Sequence, residues 1–241
     1  MELKLDIENQ QLPSFIEETR PAFFQPSFPA NKENNNWLYD IVPLGHDRVW
    51  AGGNSNELNL FDLKGSLHDT VTITCFGMYL TLHGGHVVYS DTNDKTIKKI
   101  IDGKANTLFC TGEWEPYTCT AAQDFLVCLR TTDQTESKVI RYRSSGDVLQ
   151  EIQYDSQYQP LFKYTVYVVE NGNSDICVAD YDKKAVTVVD KFGIFRFSYI
   201  GNKTCKEISY LPPLLQTACI TSSSLTILTT RFTCWTGMVD S

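Results

Sequence analysis

The most metal-like pattern in the chain is His83-Gly84-Gly85-His86, with two imidazoles three residues apart. On a helix that spacing would put both rings on one face, where they could share a cation. Here the Gly-Gly pair separates two strand-like runs and no third histidine lies close by, so the pattern reads as a surface turn. Carboxylates offer a second route to chemistry. Asp91, Asp94, Asp180 and Asp182 recur at the turns that follow short apolar runs, and carboxylates on loops can hold calcium or zinc. Asp and Asn also cap turns by accepting hydrogen bonds from their own backbone, which accounts for the same residues without a ligand. The capping reading is preferred. Ser144-Ser145-Gly146 and Ser222-Ser223-Ser224 lack the G-x-S-x-G elbow of a serine nucleophile. The glycines at 52, 53, 84 and 85 are not followed by a helical pattern, so they do not form a phosphate cradle. Cysteines fall at 75, 110, 119, 128, 177, 205, 219 and 234, with no C-x-x-C pair to build a zinc knuckle. They read as buried free thiols. No residue is therefore assigned a catalytic, cofactor-binding or metal-binding role; the expectation is a chain that is not an enzyme and carries no cofactor.

What these residues sit on is clearer than what they do. Ser174 to Arg196 holds two β-branched runs, Ile176 to Ala179 and Ala185 to Val189, bracketed by Asn, Asp and Gly clusters. That is the pattern of a β-hairpin. The design recurs upstream over Arg48 to Leu67, Val87 to Lys104 and Phe125 to Leu149. Aligned on the hairpin, Trp50, Tyr89, Val127 and Val178 share a column, and the small residues Ala51, Ser90, Cys128 and Ala179 the next. Each unit ends in a glycine turn, at Gly65, Gly103, Gly146 and Gly193, spaced 38, 43 and 47 residues apart. Repeats of about 40 to 50 residues with several short strands each are blades of a β-propeller. The strand feeding the first hairpin is read at Leu38 to Asp47. Thr70 to Leu82, Tyr117 to Ala122 and Leu161 to Glu170 are read as inner strands of the second, third and fourth blades. Trp50, Tyr89, Tyr142 and Trp114 are read mostly as core or blade-face residues, and the sequence does not single out any that line a recognition surface.

Residues 1 to 36 differ in kind: four of the nine prolines lie there, and the segment ends in an Asn-rich run. It reads as an arm or linker outside the blades, with its phenylalanines (Phe15, Phe23, Phe24, Phe28) packed on the first blade in preference to forming a short partner-binding motif. A fifth unit begins near Tyr210, with Ile227 to Thr230 as its strand, but residues 209 to 241 lack the Asp turn and second strand needed to complete it. The absence of a secretory h-region after Met1 gives the expectation of a cytoplasmic chain with no membrane contact. The net charge of −8 disfavours RNA, whose phosphates would be repelled.

The run SDICVADYDKKAVTVVDKFGIFRFSYIGN resembles a blade of the NHL-repeat propellers of tripartite-motif (TRIM) proteins, especially divergent invertebrate ones. RVWAGGNSNELNLFDLKGSL and KVIRYRSSGDVLQEIQYD are similar to other blades of that group, so the resemblance covers residues 37 to 208. It implies an all-β, incomplete propeller of NHL type, about four to five blades of a six-bladed ring. It also implies a place in the ubiquitin pathway as a substrate-binding platform. RING, B-box and coiled-coil patterns are absent, and the N-R-[IV] element is replaced by Glu57-Leu58, Thr96-Ile97, Lys138-Val139 and Ala185-Val186. The expected function is a non-catalytic protein-recognition module. Its partner is expected to be a protein rather than a small-molecule substrate, with partner-binding residues unidentified. A lactonase-like, metal-dependent hydrolase and an RNA-binding NHL domain are the alternatives.

Overall fold

The structure, a computed structural model, describes residues 38 to 200 apart from Met78 and Ala122. Four four-stranded antiparallel sheets follow one another along the chain, each a meander in sequence order. Blade 1 holds β1 (Leu38–Leu44), β2 (Arg48–Gly53), β3 (Glu57–Asp62) and β4 (Leu67–Thr72). Blade 2 holds β5 (Leu80–His83), β6 (His86–Asp91), β7 (Thr96–Ile101) and β8 (Lys104–Cys110). Blade 3 holds β9 (Glu115–Ala121), β10 (Phe125–Arg130), β11 (Ser137–Tyr142) and β12 (Val148–Ile152). Blade 4 holds β13 (Thr165–Glu170), β14 (Ile176–Asp180), β15 (Ala185–Val189) and β16 (Phe195–Tyr199). The first strands β1, β5, β9 and β13 touch in succession, so they line the axis while the fourth strands lie outermost. The fold is all-β, a four-bladed partial β-propeller.

Alternation of apolar side chains gives each blade two buried faces, and neighbouring blades pack those faces together. Leu58, Leu60 and Val71 of blade 1 meet Leu80, Val87 and Tyr89 of blade 2. Val88, Ile97 and Phe109 of blade 2 meet Phe125, Val127 and Leu129 of blade 3. Leu126, Cys128 and Val139 of blade 3 meet Val168, Ile176 and Val178 of blade 4. Central strands are therefore apolar on both sides: all six residues of β10 are buried. Between β3 and β4, β11 and β12, and β15 and β16, a tight loop turns on Gly65, Gly146 and Gly193. Their N–H groups bond the carbonyls of Asp62, Arg143 and Asp190 at 2.9–3.0 Å. All three glycines have φ between +84° and +89°, a conformation that L side chains avoid. Every third-to-fourth strand pair also carries a register shift, at Leu60/Phe61, Ile97/Lys98, Arg141/Tyr142 and Val188/Val189.

Two sequence expectations need correction. Thr70 to Leu82 is not a run of inner strand: residues up to Thr72 finish the outermost strand of blade 1, and only Leu80–His83 is the inner strand of blade 2. The crossing from outer edge to axis runs through Gly77, where a Cβ would meet Leu58 Cδ2 at 2.4 Å. Trp50 is also out of column. It packs toward blade 2, whereas Tyr89, Val127 and Val178 pack back toward the preceding blade. Three residues separate Gly53 from Glu57, against four between Asp91 and Thr96 and six between Arg130 and Ser137. Alignment across unequal turns slips by one, and one residue of slip exchanges the two faces of a strand. The arm at 1 to 36 and the divergent segment at 209 to 241, including the fifth unit near Tyr210, lie outside the described residues.

Candidate functional site: the loop face

Inner strands begin, and second strands end, at the same end of the propeller. The residues gathered there come from loops entering β5, β9 and β13 and from the hairpins after β2, β6, β10 and β14. In the described blades this face carries both the acidic turns and a tyrosine cluster.

The acidic turns are occupied by the backbone. Asp91 Oδ1 accepts the N–H groups of Asn93 and Asp94, both at 3.1 Å. Asp180 Oδ1 accepts from Lys183 and Tyr164, and its Oδ2 from Lys163 at 2.6 Å. Asp94 bonds Lys98, and Asp182 lies 3.8 Å from Lys163. Turn capping thus accounts for the first members of both acidic pairs. Burial on its own raises the Asp91 carboxyl. The Lys98 ammonium at 2.8 Å and the Thr74 hydroxyl more than compensate, leaving it below the usual carboxylate range. Among the described residues no group of three or more His, Cys, Asp or Glu is placed to hold a metal ion. His83 and His86 flank a tight Gly84-Gly85 turn at the opposite end of the sheets. His83 Nε2 lies 3.3 Å from Ser144 Oγ, and His86 Nδ1 lies 3.2 Å from the Ile100 carbonyl.

Arg130 behaves differently. It is the last residue of β10 and only 6% exposed. Its guanidinium carbon lies 3.6 Å from the ring centroid of Tyr117, in the inner strand of its own blade, and 4.0 Å from that of Tyr164, in the loop entering blade 4. The cation is wedged between two rings whose planes meet at 66°. The aromatic contacts continue on both sides. Tyr117 meets Tyr79 at 5.5 Å, Tyr79 meets Tyr167 at 6.5 Å, and Tyr164 meets Tyr181 at 5.9 Å. Tyr181 is 60% exposed, so the ridge runs from a buried interior out to solvent. Burial pushes the phenols of Tyr79 and Tyr117 up, with Arg130 opposing the rise at Tyr117. Asp40, in β1, accepts the N–H groups of Leu80 and Ile41 at 2.9 Å, yet burial raises its carboxyl to about 6.

The other buried cations have counter-ions. Lys98 meets Asp91 and Asp94, and Lys138 meets Glu151 at 3.0 Å while its ammonium sits 4.0 Å over the Trp114 ring. No carboxylate of the described residues pairs with Arg130, and its Nη1 finds no acceptor among them. Trp50, Tyr89 and Tyr142 are core residues, as expected. The sequence reading missed Arg130, Tyr117, Tyr164 and Tyr181. A signal was present: F-G-M-Y79, W-E-P-Y117 and L-F-K-Y164 each place a tyrosine within three residues of the start of an inner strand. Cys75, Cys119, Cys128 and Cys177 are buried free thiols, and Cys110 is exposed. Burial pushes the first three up to about 12 and Cys177 to about 11.

No family model matches the chain, and no curated protein matches it by sequence. Solved structures match its shape. Virginiamycin B lyase from Staphylococcus aureus superposes with a TM-score of 0.50 at 14% identity, covering 67% of this chain and 55% of that one. A streptogramin B lyase gives 0.51 at 13% identity, covering 67% and 54%, and the WD40 β-propeller domain of Doa1 gives 0.50 at 9%, covering 69% and 55%. The chain thus spans about half the length of these proteins. At such identities the likeness concerns the fold alone: the protein is of the β-propeller class.

Proposed function

We propose that this chain is a non-catalytic protein-recognition module that receives a partner on its loop face, in the manner of the substrate-binding propellers of TRIM-NHL proteins. The observation that carries the reading is Arg130 wedged between Tyr117 and Tyr164, with Tyr181 continuing the ridge to solvent. Arg and Tyr are the residue types that dominate binding hot spots, because they offer large, stiff contact areas with a polar tip. Loops on a rigid β scaffold are where such surfaces are built. The hydrolase alternative needs free carboxylates, whereas Asp91 and Asp180 are engaged by their own turns and by Lys98. A selection of random displayed peptides against the full chain tests the reading. Enriched peptides should bind the full chain and lose binding to the Tyr181→Ala chain. Failure to enrich any peptide, or enriched peptides indifferent to Tyr181→Ala, would overturn it.

A further inference from the structure

Resting on that recognition reading, we infer that Arg130 is the anchor for a carboxylate of the partner, seated beside the exposed ring of Tyr181. A buried cation is costly unless a counter-charge or hydrogen-bond acceptors compensate it. Among the described residues the fold supplies a counter-charge to Lys98 and Lys138 and none to Arg130. What it gives Arg130 instead is two aromatic faces at 3.6 and 4.0 Å. Ring faces stabilise the flat sides of a guanidinium, and the Tyr117 hydroxyl also bonds the group, but Nη1 stays without an acceptor among the described residues. A carboxylate meets a guanidinium in the plane of its N–H groups, the direction the two rings do not serve. Stacking also holds the planar group in one orientation before the ligand arrives, so less entropy is lost on binding. Tyr181 marks the approach: it touches Tyr164, the second ring against Arg130, and it is open to solvent. The partner segment is therefore one in which a carboxylate sits next to an apolar or aromatic residue.

A peptide fits this face better than a nucleic acid does. Asp91, Asp94, Asp180 and Asp182 lie at turns of the same face, and the chain's net charge is −8. A single carboxylate pays that repulsion once, whereas a phosphate chain pays it at every step.

The test uses peptides enriched in the display selection, each resynthesised in three forms: as selected, with Asp and Glu replaced by Asn and Gln, and with the C-terminus amidated. Loss of about tenfold in affinity on the side-chain replacement locates the carboxylate on a side chain; the same loss on amidation locates it at the terminus. In the Arg130→Met chain the difference between acid and amide forms should vanish. In Arg130→Lys it should persist at weaker overall affinity, since an ammonium keeps the charge but not the planar fork. Lys163→Ala, which removes an exposed cation of the same face, should leave the difference intact. Should Arg130→Met fail to fold, the Arg130→Lys and Lys163→Ala chains still decide. Peptides indifferent to both acid replacements would overturn the anchor alone, as would loss of discrimination in Lys163→Ala. A selection without binders defeats the recognition reading and the anchor together. Tighter binding of an oligouridine probe than of any peptide, abolished by Arg130→Met, would replace the carboxylate with a phosphate and overturn the inference.

Discussion

Asp91 in blade 2 and Arg130 in blade 3 each end a second strand at the loop face, Asp91 turned toward the preceding blade and Arg130 toward the following one. Asp91 is fully buried and fully served: two backbone N–H groups, the Thr74 hydroxyl and the Lys98 ammonium converge on it. Arg130 is almost as buried and meets two tyrosine rings and the Tyr117 hydroxyl, with no counter-ion among the described residues. Blade 2 neutralises its charge, whereas no carboxylate of the described residues pairs with that of blade 3. A charge at the end of a second strand can thus be neutralised within the fold or stacked between rings, and the groups around it show which.

The contrast is sharpest under substitution. Lys98→Met leaves Asp91 as a buried, unpaired carboxylate and should cost about 3–5 kcal/mol, read by urea unfolding. Adding Asp91→Asn should recover part of the loss. Arg130→Met strands no opposite charge among the described residues, so its cost should stay below about 2 kcal/mol, the scale of a desolvated cation–π contact. Equal losses at the two sites would break the comparison. The second strand of blade 1 ends without a charge, on Gly52 and Gly53. A Cβ on Gly52 would meet the Gly77 carbonyl oxygen at 2.1 Å. Gly52→Ala should therefore destabilise by about 1–3 kcal/mol, read as a lowered urea midpoint. Asp40, beside the tyrosine ridge, should show the opposite pH behaviour to Asp91. Its carboxyl is raised to about 6 from the ordinary value of 3.8, so folding favours its neutral form. Its contribution is full below pH 3.8 and is lost as pH rises to about 6. The difference in stability between the native chain and Asp40→Asn should change across that window by on the order of 1 kcal/mol, allowing for the partial exposure of Asp40. A flat difference would mean that the carboxyl is not desolvated. The smallest effect concerns the thiol two residues before Arg130. Cys128 should react with a maleimide far more slowly than exposed Cys110, followed by peptide mass spectrometry. Comparable rates would show that the Arg130 region opens readily.

The blades were legible because their signals are local. Alternation, Asp and Asn turns and the glycines at 65, 103, 146 and 193 all act within one hairpin, and the glycines carry the left-handed φ that the turns demand. What failed was the register of Trp50 and the span of Thr70 to Leu82, where turn length and the crossing to the axis decide the outcome. The candidate site was not legible, since Tyr117, Arg130 and Tyr164 come from two blades and meet only when those blades pack. A buried arginine also looks, in sequence, like any polar residue at the end of a strand.

The register shift between each third and fourth strand has a consequence for how these molecules meet one another. β16 is an outermost strand whose Phe195 and Phe197 are exposed, a combination that on a flat sheet would template pairing with a second chain. A bulge adds local twist and bends the strand, so a straight incoming strand can match its hydrogen-bond spacing over only a few residues. Because β4, β8 and β12 carry the same irregularity, every rim strand of the described blades is a poor seed for cross-β stacking.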